Sequence, residues 1–299
     1  MIPEIPESLT ASPEAETGLG KPLSAWRRLL AEPATALGVF IILVDVVVAI
    51  GAPAVAPHNP LTLYPNGLAL DGAPLSPGGA FPLGTDELGR DVLSRLIFGS
   101  RVALTVGILA TLLALLVGVT VGLLAGFYRG TAEGVLMRLT DVMLAFPFVL
   151  FVIFVAAVFK PSLTVIILAI GLLTWAPMAR IARGQTLSVT AQPYVEAARA
   201  LGATSLRIQW RHILPNMFGP VLAYAFLQIG TNITLEAALS YLGAGPPPPT
   251  PDWGAMVAQG QASLITAPWL FFFPGLAIML TVVAFNMVGD GLQRTVRRR

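Results

Sequence analysis

The sequence predicts an all-α, polytopic membrane protein with six transmembrane helices, a class supported by its composition and by the grouping of its apolar residues. Of the 299 residues, 55% are hydrophobic and only 11% are charged, whereas soluble domains carry about 25% charged residues. The apolar residues form blocks of about 16 to 26, the length that spans a bilayer as a helix. Lipid cannot hydrogen-bond an exposed backbone, and the alternating segments of a membrane barrel are absent, so helices are expected. A soluble enzyme is excluded.

Six blocks are long enough to cross the membrane. The predicted spans are Thr35–Val55, Val102–Gly126, Val142–Phe159, Leu163–Ile181, Met217–Leu235 and Pro268–Val288. The residues before the first block are polar, with Pro, Glu, Ser and Thr prominent, and this composition predicts that the start of the chain is disordered.

The first span contains a charged residue, Asp45, which opposes membrane insertion. A mid-span Asp costs about 2.5–3.5 kcal/mol, whereas each Leu, Ile, Val or Phe returns about 0.3–0.6 kcal/mol. Ten such residues lie between Val39 and Ile50, and they return roughly 3–6 kcal/mol, so insertion is still favoured. The alternative is a cleaved signal peptide, because basic residues precede the block and Ala54–Ala56 resembles a cleavage site. Signal peptides have a shorter apolar core, about 7–15 residues, so an uncleaved span is favoured.

The distribution of basic residues predicts the orientation. With the N-terminus in the cytoplasm, fourteen of the eighteen lysines and arginines lie inside, as the positive-inside rule requires. The fourteen are Lys21, Arg27, Arg28, Arg129, Arg138, Arg180, Arg183, Arg199, Arg207, Arg211, Arg294, Arg297, Arg298 and Arg299. Those left outside are Arg90, Arg95, Arg101 and Lys160. Both termini are therefore expected in the cytoplasm.

This orientation divides the chain into five parts. They are a cytoplasmic N-terminal tail (1–33), a first transmembrane helix (34–56), an extracytoplasmic segment (57–101), a core of five transmembrane helices (102–292) that includes a polar loop (182–216), and a basic cytoplasmic tail (293–299). In the extracytoplasmic segment, Thr85 or Asp86 is suited to cap an amphipathic helix that runs to Phe98. We expect this helix to lie on the outer membrane surface or against the bundle.

The second span carries a small residue at every fourth position. These residues are Ala110, Ala114, Gly118, Gly122 and Gly126. Such a ridge lets helices approach closely in lipid, so it predicts a packing face rather than a ligand groove.

The polar loop predicts two short helices joined by an elbow. Pro193 is suited to the first helical position, and Gly202 to the left-handed residue that ends the first helix. Thr204 or Ser205 can cap the second helix, whereas Pro215 is expected to prevent a smooth continuation into the next span. Helices this short are unstable alone in water, so they must pack on the bundle or on another protein.

The same loop carries the pattern Glu196-Ala197-Ala198, with Gly202 six residues after the glutamate and Ile213-Leu214-Pro215 towards its end. This pattern resembles the EAA loop of bacterial ABC-importer permeases. The usual signature has Ile where this chain has His212, but His-Ile-Leu-Pro-Asn is typical of the peptide and nickel branch. The alternative is an amphipathic helix pair on the surface that has no partner.

The resemblance implies that the two short helices form a coupling element, which sits in a cleft of a cytoplasmic ATPase subunit. The coupling residues that it implies are Glu196, Ala197, Ala198, Arg199, Gly202, Arg207, Arg211, Leu214 and Pro215. Among them, Glu196, Ala197 and Gly202 would set the shape of the elbow, while the three arginines would offer charged contacts to the ATPase.

Two further segments resemble one branch of this family. Pro82–Arg101 is similar to the segment before the second span in the C-type subunit of dipeptide, oligopeptide and nickel permeases, although Phe81 stands where the family usually has His. Ile233–Gly245, with the Pro-rich sequence after it, is similar to the stretch that follows the fifth span. Four charged residues of the first segment either pair locally or belong to an outer gate or a docking site for a binding protein. They are Asp86, Arg90, Asp91 and Arg95.

Two acidic residues lie in or near the spans, where ionisable groups are functional candidates. Asp45 is expected to face the bundle or to pair with a partner subunit. For Glu236, structural hydrogen bonding and contact with the solute are both open.

The resemblance implies the type I ABC importer permease fold and a bacterial cytoplasmic (inner) membrane location. It also implies that the chain contacts membrane lipid and works with three kinds of protein partner: a second, homologous permease as heterodimer partner, two cytoplasmic ATPase subunits that bind ATP-Mg, and an extracytoplasmic substrate-binding protein. The implied solute is a dipeptide, an oligopeptide or a nickel chelate. The alternative is an ion-driven secondary transporter, which needs a relay of acids at mid-membrane, and only Asp45 is clearly mid-span.

Several absences limit the chemistry that is expected of this chain. Lys21 has Ala15 and Pro22 where a phosphate-binding loop needs Gly and Ser or Thr, so this chain is not predicted to be the ATPase. The sequence has no cysteine, and neither His58 nor His212 has companions in the sequence that suggest a metal site. No catalytic residue or cofactor is predicted, and a net charge of +2 is too small to imply a nucleic-acid partner.

Overall fold

The computed structural model describes residues 32–147, 150–151, 154–155, 158–160 and 162–297. Residues 1–31 and the last two arginines lie outside this description, and so do most of the predicted N-terminal tail and part of the basic tail. Within the described ranges, the regular structure is helical apart from three isolated β-bridges.

The helices in chain order are α1 (Pro33–Ile50), α2 (Ala52–Val55), α3 (Val92–Tyr128), α4 (Gly130–Ala145), α5 (Leu163–Thr190), α6 (Pro193–Ala200), α7 (Ser205–Ile208), α8 (Leu214–Tyr241), α9 (Trp253–Ala262) and α10 (Trp269–Arg297). A π turn, Gln209–Ile213, joins α7 to α8. Among the described residues, α1, α3, α5, α10 and the continuous run Ser205–Tyr241 are long and apolar enough to cross a membrane. They correspond to five of the six predicted spans, and they confirm the predicted fold class.

The remaining predicted span, Val142–Phe159, begins differently from the prediction. Val142 lies inside α4, and that helix ends at Ala145. Phe146 is extended, with φ −71° and ψ 127°, because the proline that follows it disfavours the helical region. A single helix from Val142 is therefore wrong. Residues 150–151, 154–155 and 158 are helical, and the other residues up to Phe159 include ones that the structure does not describe.

The first span is also divided in two. α1 ends at Ile50, and the N–H of its C-cap residue, Gly51, donates to the carbonyl oxygen of Val47 at 2.8 Å. α2 then starts with a proline in its first turn, a position where the missing N–H has no helical partner to lose.

The prediction of a separate amphipathic helix that begins at Thr85 or Asp86 is wrong in two respects, its first residue and its separation from the second span. The helix starts at Val92 and continues without a break to Tyr128 as α3. Asp91 is the N-cap, and its Oδ2 accepts from the Ser94 N–H at 2.9 Å. Both Asp86 and Asp91 have the chemistry of a cap, but Asp86 instead accepts from backbone N–H groups inside the preceding turn.

α3 and α5 pack along the ridge of small residues, as predicted. All five members of the ridge are buried. A Cβ added at Gly122 would lie 2.4 Å from the carbonyl oxygen of Ala179, and one at Gly126 would lie 2.7 Å from Cβ of Thr186. Any larger side chain would force the two helices apart, so the ridge sets their separation.

Two ion pairs join α4 to α5. Arg180 Nη2 lies 2.7 Å from Asp141 Oδ1, and Arg183 Nε lies 2.7 Å from Glu133 Oε1. α10 packs on α8 and also on α1, where a Cβ at Gly38 would lie 2.8 Å from the carbonyl oxygen of Ala284.

The long helices give the bundle two distinct ends. The loop end contains residues 52–91 and 242–268, and it is joined across the bundle by Trp253 Nε1, which donates to the carbonyl oxygen of Leu96 at 2.9 Å. The elbow end contains residues 191–213, which lie beside the end of α3. The two groups of residues singled out in the sequence lie at these opposite ends.

Candidate functional site

The elbow, residues 193–213, has the local geometry that its sequence predicts. Pro193 opens α6, and Gly202 has φ +78°, the left-handed conformation that favours glycine. Thr204 caps α7, and its side chain accepts from the Arg207 N–H at 3.4 Å. Since Gly202 and Ala203 also donate to the last carbonyls of α6, the turn between the two short helices is fully specified by local hydrogen bonds.

One face of the elbow packs against the bundle. Val195, Ile208 and Ile213 are buried, and they join a core cluster with Met178 of α5 and Met217 of α8. The elbow is therefore held in place by apolar contacts, which answers the need of such short helices for something to pack on.

Large apolar side chains of the elbow are exposed, and two of them, Leu206 and Trp210, line an apolar groove beside α3 and α8. Tyr194, Leu201, Leu206 and Trp210 are exposed, with Leu201 at 88% and Trp210 at 66%. A cluster of exposed apolar residues marks a surface that binds another molecule. These residues cannot be singled out from the sequence, because periodicity alone does not distinguish a buried side chain from an exposed one.

The residues that the resemblance assigns to coupling lie in the elbow or directly after it. Glu196, Ala197, Arg199, Gly202, Arg207, Arg211 and Pro215 are exposed, and Ala198 and Leu214 are half-buried. Within the described part of the chain, no salt bridge involves the charged members of this set. The elbow thus exposes one acidic and three basic side chains in addition to the large apolar ones.

The predicted break at Pro215 is wrong, because the second elbow helix and the following span form one continuous run, Ser205–Tyr241. The π turn ends directly before α8, and Pro215 lies in the first turn of that helix, where a proline is tolerated. Asn216 Nδ2 donates to the carbonyl oxygen of His212 at 2.6 Å. The elbow is consequently attached to a helix that crosses the whole bundle.

At the loop end, Asp86, Arg90, Asp91 and Arg95 form what we term the loop-end cluster, and all four are buried. Asp86 Oδ2 accepts from Arg90 Nε at 2.7 Å and lies 3.5 Å from Arg95 Nε. Asp86 Oδ1 accepts from the N–H groups of Leu88 and Arg90. Asp86, Arg90 and Arg95 therefore pair locally in this conformation.

The fourth member of the cluster, Asp91, contacts His58. His58 Nδ1 lies 3.5 Å from Asp91 Oδ2, and the His58 ring packs on Tyr64 and Phe81 at centroid distances of 5.2 and 5.0 Å. The sequence suggests that His58 is isolated, but the structure places it in contact with Asp91, Tyr64 and Phe81. Among the described residues, no group of His, Asp and Glu is arranged to hold a metal ion. Phe81, where the resembled family usually has His, is buried as part of this aromatic group.

Each of the two acidic residues in the spans accepts a hydrogen bond from a hydroxyl group. Thr281 Oγ1 of α10 donates to Asp45 Oδ2 of α1 at 2.8 Å. Ser240 Oγ donates to Glu236 Oε1 at 2.9 Å, one helical turn away. Asp45 therefore faces the bundle, and Glu236 is buried within it.

Comparisons with known proteins agree on one family. The profile of the family described as "binding-protein-dependent transport system inner membrane component" matches residues 118–299. The glutathione transport system permease protein GsiD of Pectobacterium atrosepticum is 38% identical over 269 residues, which cover 90% of this chain and 88% of that protein. GsiD of Escherichia coli is 38% identical over 268 residues, covering 90% and 87%.

A solved structure shows a similar fold. It is an inward-facing conformation of the MetNI methionine ABC transporter, with a TM-score of 0.54 and 18% sequence identity. The match covers 68% of this chain and 95% of that one. At this identity the similarity concerns the fold alone.

Proposed function

Since the chain belongs to the family of binding-protein-dependent transport system inner membrane components and is a permease subunit of an ABC importer, we propose that it carries peptides or peptide-like solutes across the bacterial inner membrane. The observation that supports this solute class is the 38% identity to glutathione transport permeases over 90% of the chain, because glutathione is a tripeptide. The chain is a translocation component rather than an enzyme.

The elbow end lies in the cytoplasm and the loop end outside. The distribution of basic residues supports this, because fourteen of the eighteen belong to the segments that are cytoplasmic in that orientation and cytoplasmic segments carry an excess of them. A second, homologous permease completes the pathway as a heterodimer partner. Two ATPase subunits bind the elbow end and hold the ATP-Mg, and an extracytoplasmic binding protein docks at the loop end.

The elbow couples ATP binding to the opening of the bundle. Its exposed apolar side chains and the exposed charges of Glu196, Arg199 and Arg207 suit a cleft in the ATPase. When ATP closes the ATPase pair, the displacement passes through the elbow into the run Ser205–Tyr241, which crosses the bundle. The permeases then open towards the binding protein, and hydrolysis returns them to the inward-facing state. The coupling residues carried over from the family motif, Glu196 to Pro215, have these roles in the proposal.

Uptake in proteoliposomes tests the proposed function. The full complex should accumulate labelled glutathione or a labelled dipeptide only when ATP is on the side of the membrane that carries the ATPase subunits and the binding protein is on the opposite side. Uptake should be insensitive to an uncoupler, because no ion gradient drives it. Transport that survives ATP depletion and collapses with an uncoupler would instead support the ion-driven alternative.

A further inference from the structure

Two buried acidic residues meet where the start of α9 packs on α8, at the loop end of the bundle. Glu236 is 1% exposed and Asp252 is 0% exposed, and their carboxyl groups lie within hydrogen-bonding distance of each other. The backbones are equally close, because a Cβ added at Gly254 would overlap the carbonyl oxygen of Ala237. The packing of the two helices therefore brings the acids together.

One oxygen of each acid is already occupied. Glu236 Oε1 accepts from Ser240 Oγ at 2.9 Å, and Asp252 Oδ1 accepts from the Ala255 N–H at 2.8 Å as the N-cap of α9. Asp252 Oδ2 is buried, and no donor among the described residues contacts it. Ionised carboxylates are acceptors only and repel each other, so a hydrogen bond between the two acids requires a proton on one of them.

The surroundings of the two acids decide which of them carries this proton. Asp252 faces Arg95 and caps the N-terminus of α9. An arginine and a helix N-terminus both stabilise a carboxylate. Glu236, by contrast, faces the hydroxyl of Ser240 and Asp252 itself. Glu236 is therefore the donor of the pair, and Asp252 is the acceptor.

The buried charges of this region balance only when that proton is present. Arg95 faces a second arginine, Arg90, and two acids, Asp86 and Asp252. These two positive and two negative charges cancel. An ionised Glu236 would add a buried negative charge, and it has no cationic partner within the described part of the chain. Such a charge is strongly unfavourable.

We propose that Glu236 and Asp252 share one proton, which Glu236 carries on Oε2 and donates to Oδ2 of the Asp252 carboxylate. The hydrogen bond joins the end of α8 to the start of α9. Because α8 is continuous with the second elbow helix, the pair anchors the far end of the helix to which the elbow is attached. Glu236 and Asp252 are positioning residues in this role, and Glu236 makes a structural hydrogen bond rather than a contact with the solute.

Infrared spectroscopy of the full-length chain in an ester-free detergent tests the shared proton, because only a protonated carboxyl group has a carboxylic acid C=O stretch. The wild-type spectrum minus that of Glu236→Gln should contain one such band. Asp252→Asn should also remove the band, although Glu236 is still present. With Asp252 neutral, the remaining charge around the pair is positive and an amide N–H can face Glu236, so Glu236 should ionise.

Asp45→Asn is the matched control, because Asp45 is the other acid in the spans that accepts a hydrogen bond from a hydroxyl group. It should leave the Glu236 band unchanged. All three substitutions preserve the size of the side chain, and Asn is also a good N-cap. The wild type provides a measurement that needs no variant, since labelling with 13C-glutamate should shift the band and labelling with 13C-aspartate should not.

Three results would overturn the shared proton. Absence of the band from the difference between wild type and Glu236→Gln would show that both acids are ionised. A band that persists in Asp252→Asn would show that Glu236 holds its proton independently of Asp252. A shift of the band with labelled aspartate instead of labelled glutamate would place the proton on Asp252.

Discussion

The two ends of the bundle use charged residues in opposite ways. At the loop end, Asp86, Arg90 and Arg95 are buried, and each arginine forms an ion pair with Asp86. At the elbow end, Arg207 and Arg211 are exposed, and neither forms a salt bridge within the described residues. A buried ionic cluster fixes one geometry, because removing one partner strands the other charge, whereas an exposed charge adds little to stability. The charges of the loop end therefore fix its structure, whereas the charges of the elbow are accessible to another molecule.

The largest expected effect comes from breaking the loop-end cluster. Asp86→Ala removes the acceptor of both arginines, so the free energy of unfolding should fall by about 3–5 kcal/mol, as for other buried ion pairs that lose one member. Thermal or SDS-induced unfolding of the purified chain in detergent measures the loss. Arg207→Ala at the elbow is the control and should change stability by less than about 0.5 kcal/mol. Equal effects of the two changes would contradict the contrast between the ends.

The exposed apolar face of the elbow should carry much of the affinity for the ATPase. Trp210→Ala should weaken association by about 2 kcal/mol, or roughly thirtyfold, as is typical of a tryptophan at the centre of an interface. Association of the permease pair with fluorescent ATPase measures it. Leu70, which is fully exposed at the loop end, provides the control Leu70→Ala, and a similar loss there would point to a nonspecific apolar effect.

Two glycines, one at each end of the bundle, allow the effect of the same backbone strain to be compared between the ends. Gly202 in the elbow has φ +78° and Gly243 at the loop end has φ +84°, and a Cβ at either position would meet no atom within 4 Å. Alanine at each position should therefore cost a similar amount, about 1–2 kcal/mol. Gly202→Ala should lower ATPase stimulation by the loaded binding protein more than Gly243→Ala does. If Gly243→Ala uncouples transport to the same extent, strain rather than elbow geometry explains the defect.

The smallest effect should come from the exposed charges of the elbow. Arg207→Ala should weaken binding of the ATPase by about 0.2–1 kcal/mol at low salt, and the difference should shrink as ionic strength rises, because exposed charges are screened. A salt series of the same association assay measures this. An effect that is independent of salt would show that Arg207 is buried in the complex rather than at its rim.

The sequence predicts the elbow well because its signals are local. Pro193, Gly202 and Thr204 each specify one backbone position, and all three have the predicted geometry. The effect of Pro215 was predicted wrongly, because the π turn before it is not encoded by any single residue that has a known preference. The proline is accommodated by the hydrogen bonding of the turn before it, and a residue-by-residue reading does not include that turn.

The loop end was harder to predict because burial, rather than local preference, decides its structure. Asp86 and Asp91 are both suitable caps, and only the three-dimensional pairing of Asp86 with Arg90 and Arg95 leaves Asp91 to start α3. α9 was not predicted at all. Its N-cap, Asp252, comes directly after a proline-rich stretch that favours an extended connector. The exposure of the elbow side chains also depends on the packed bundle, so the sequence alone does not predict it.

The proposed contact between the elbow end and the ATPase can be tested directly by site-specific cross-linking. The chain has no cysteine, so Leu201→Cys in the elbow and Leu70→Cys at the loop end each introduce a single thiol at an exposed position. Both are labelled with benzophenone maleimide in the assembled complex and irradiated with and without ATP. The proposed contact predicts that Leu201→Cys cross-links to the ATPase subunit and that Leu70→Cys does not. A cross-link to the ATPase from Leu70→Cys, and none from Leu201→Cys, would contradict it.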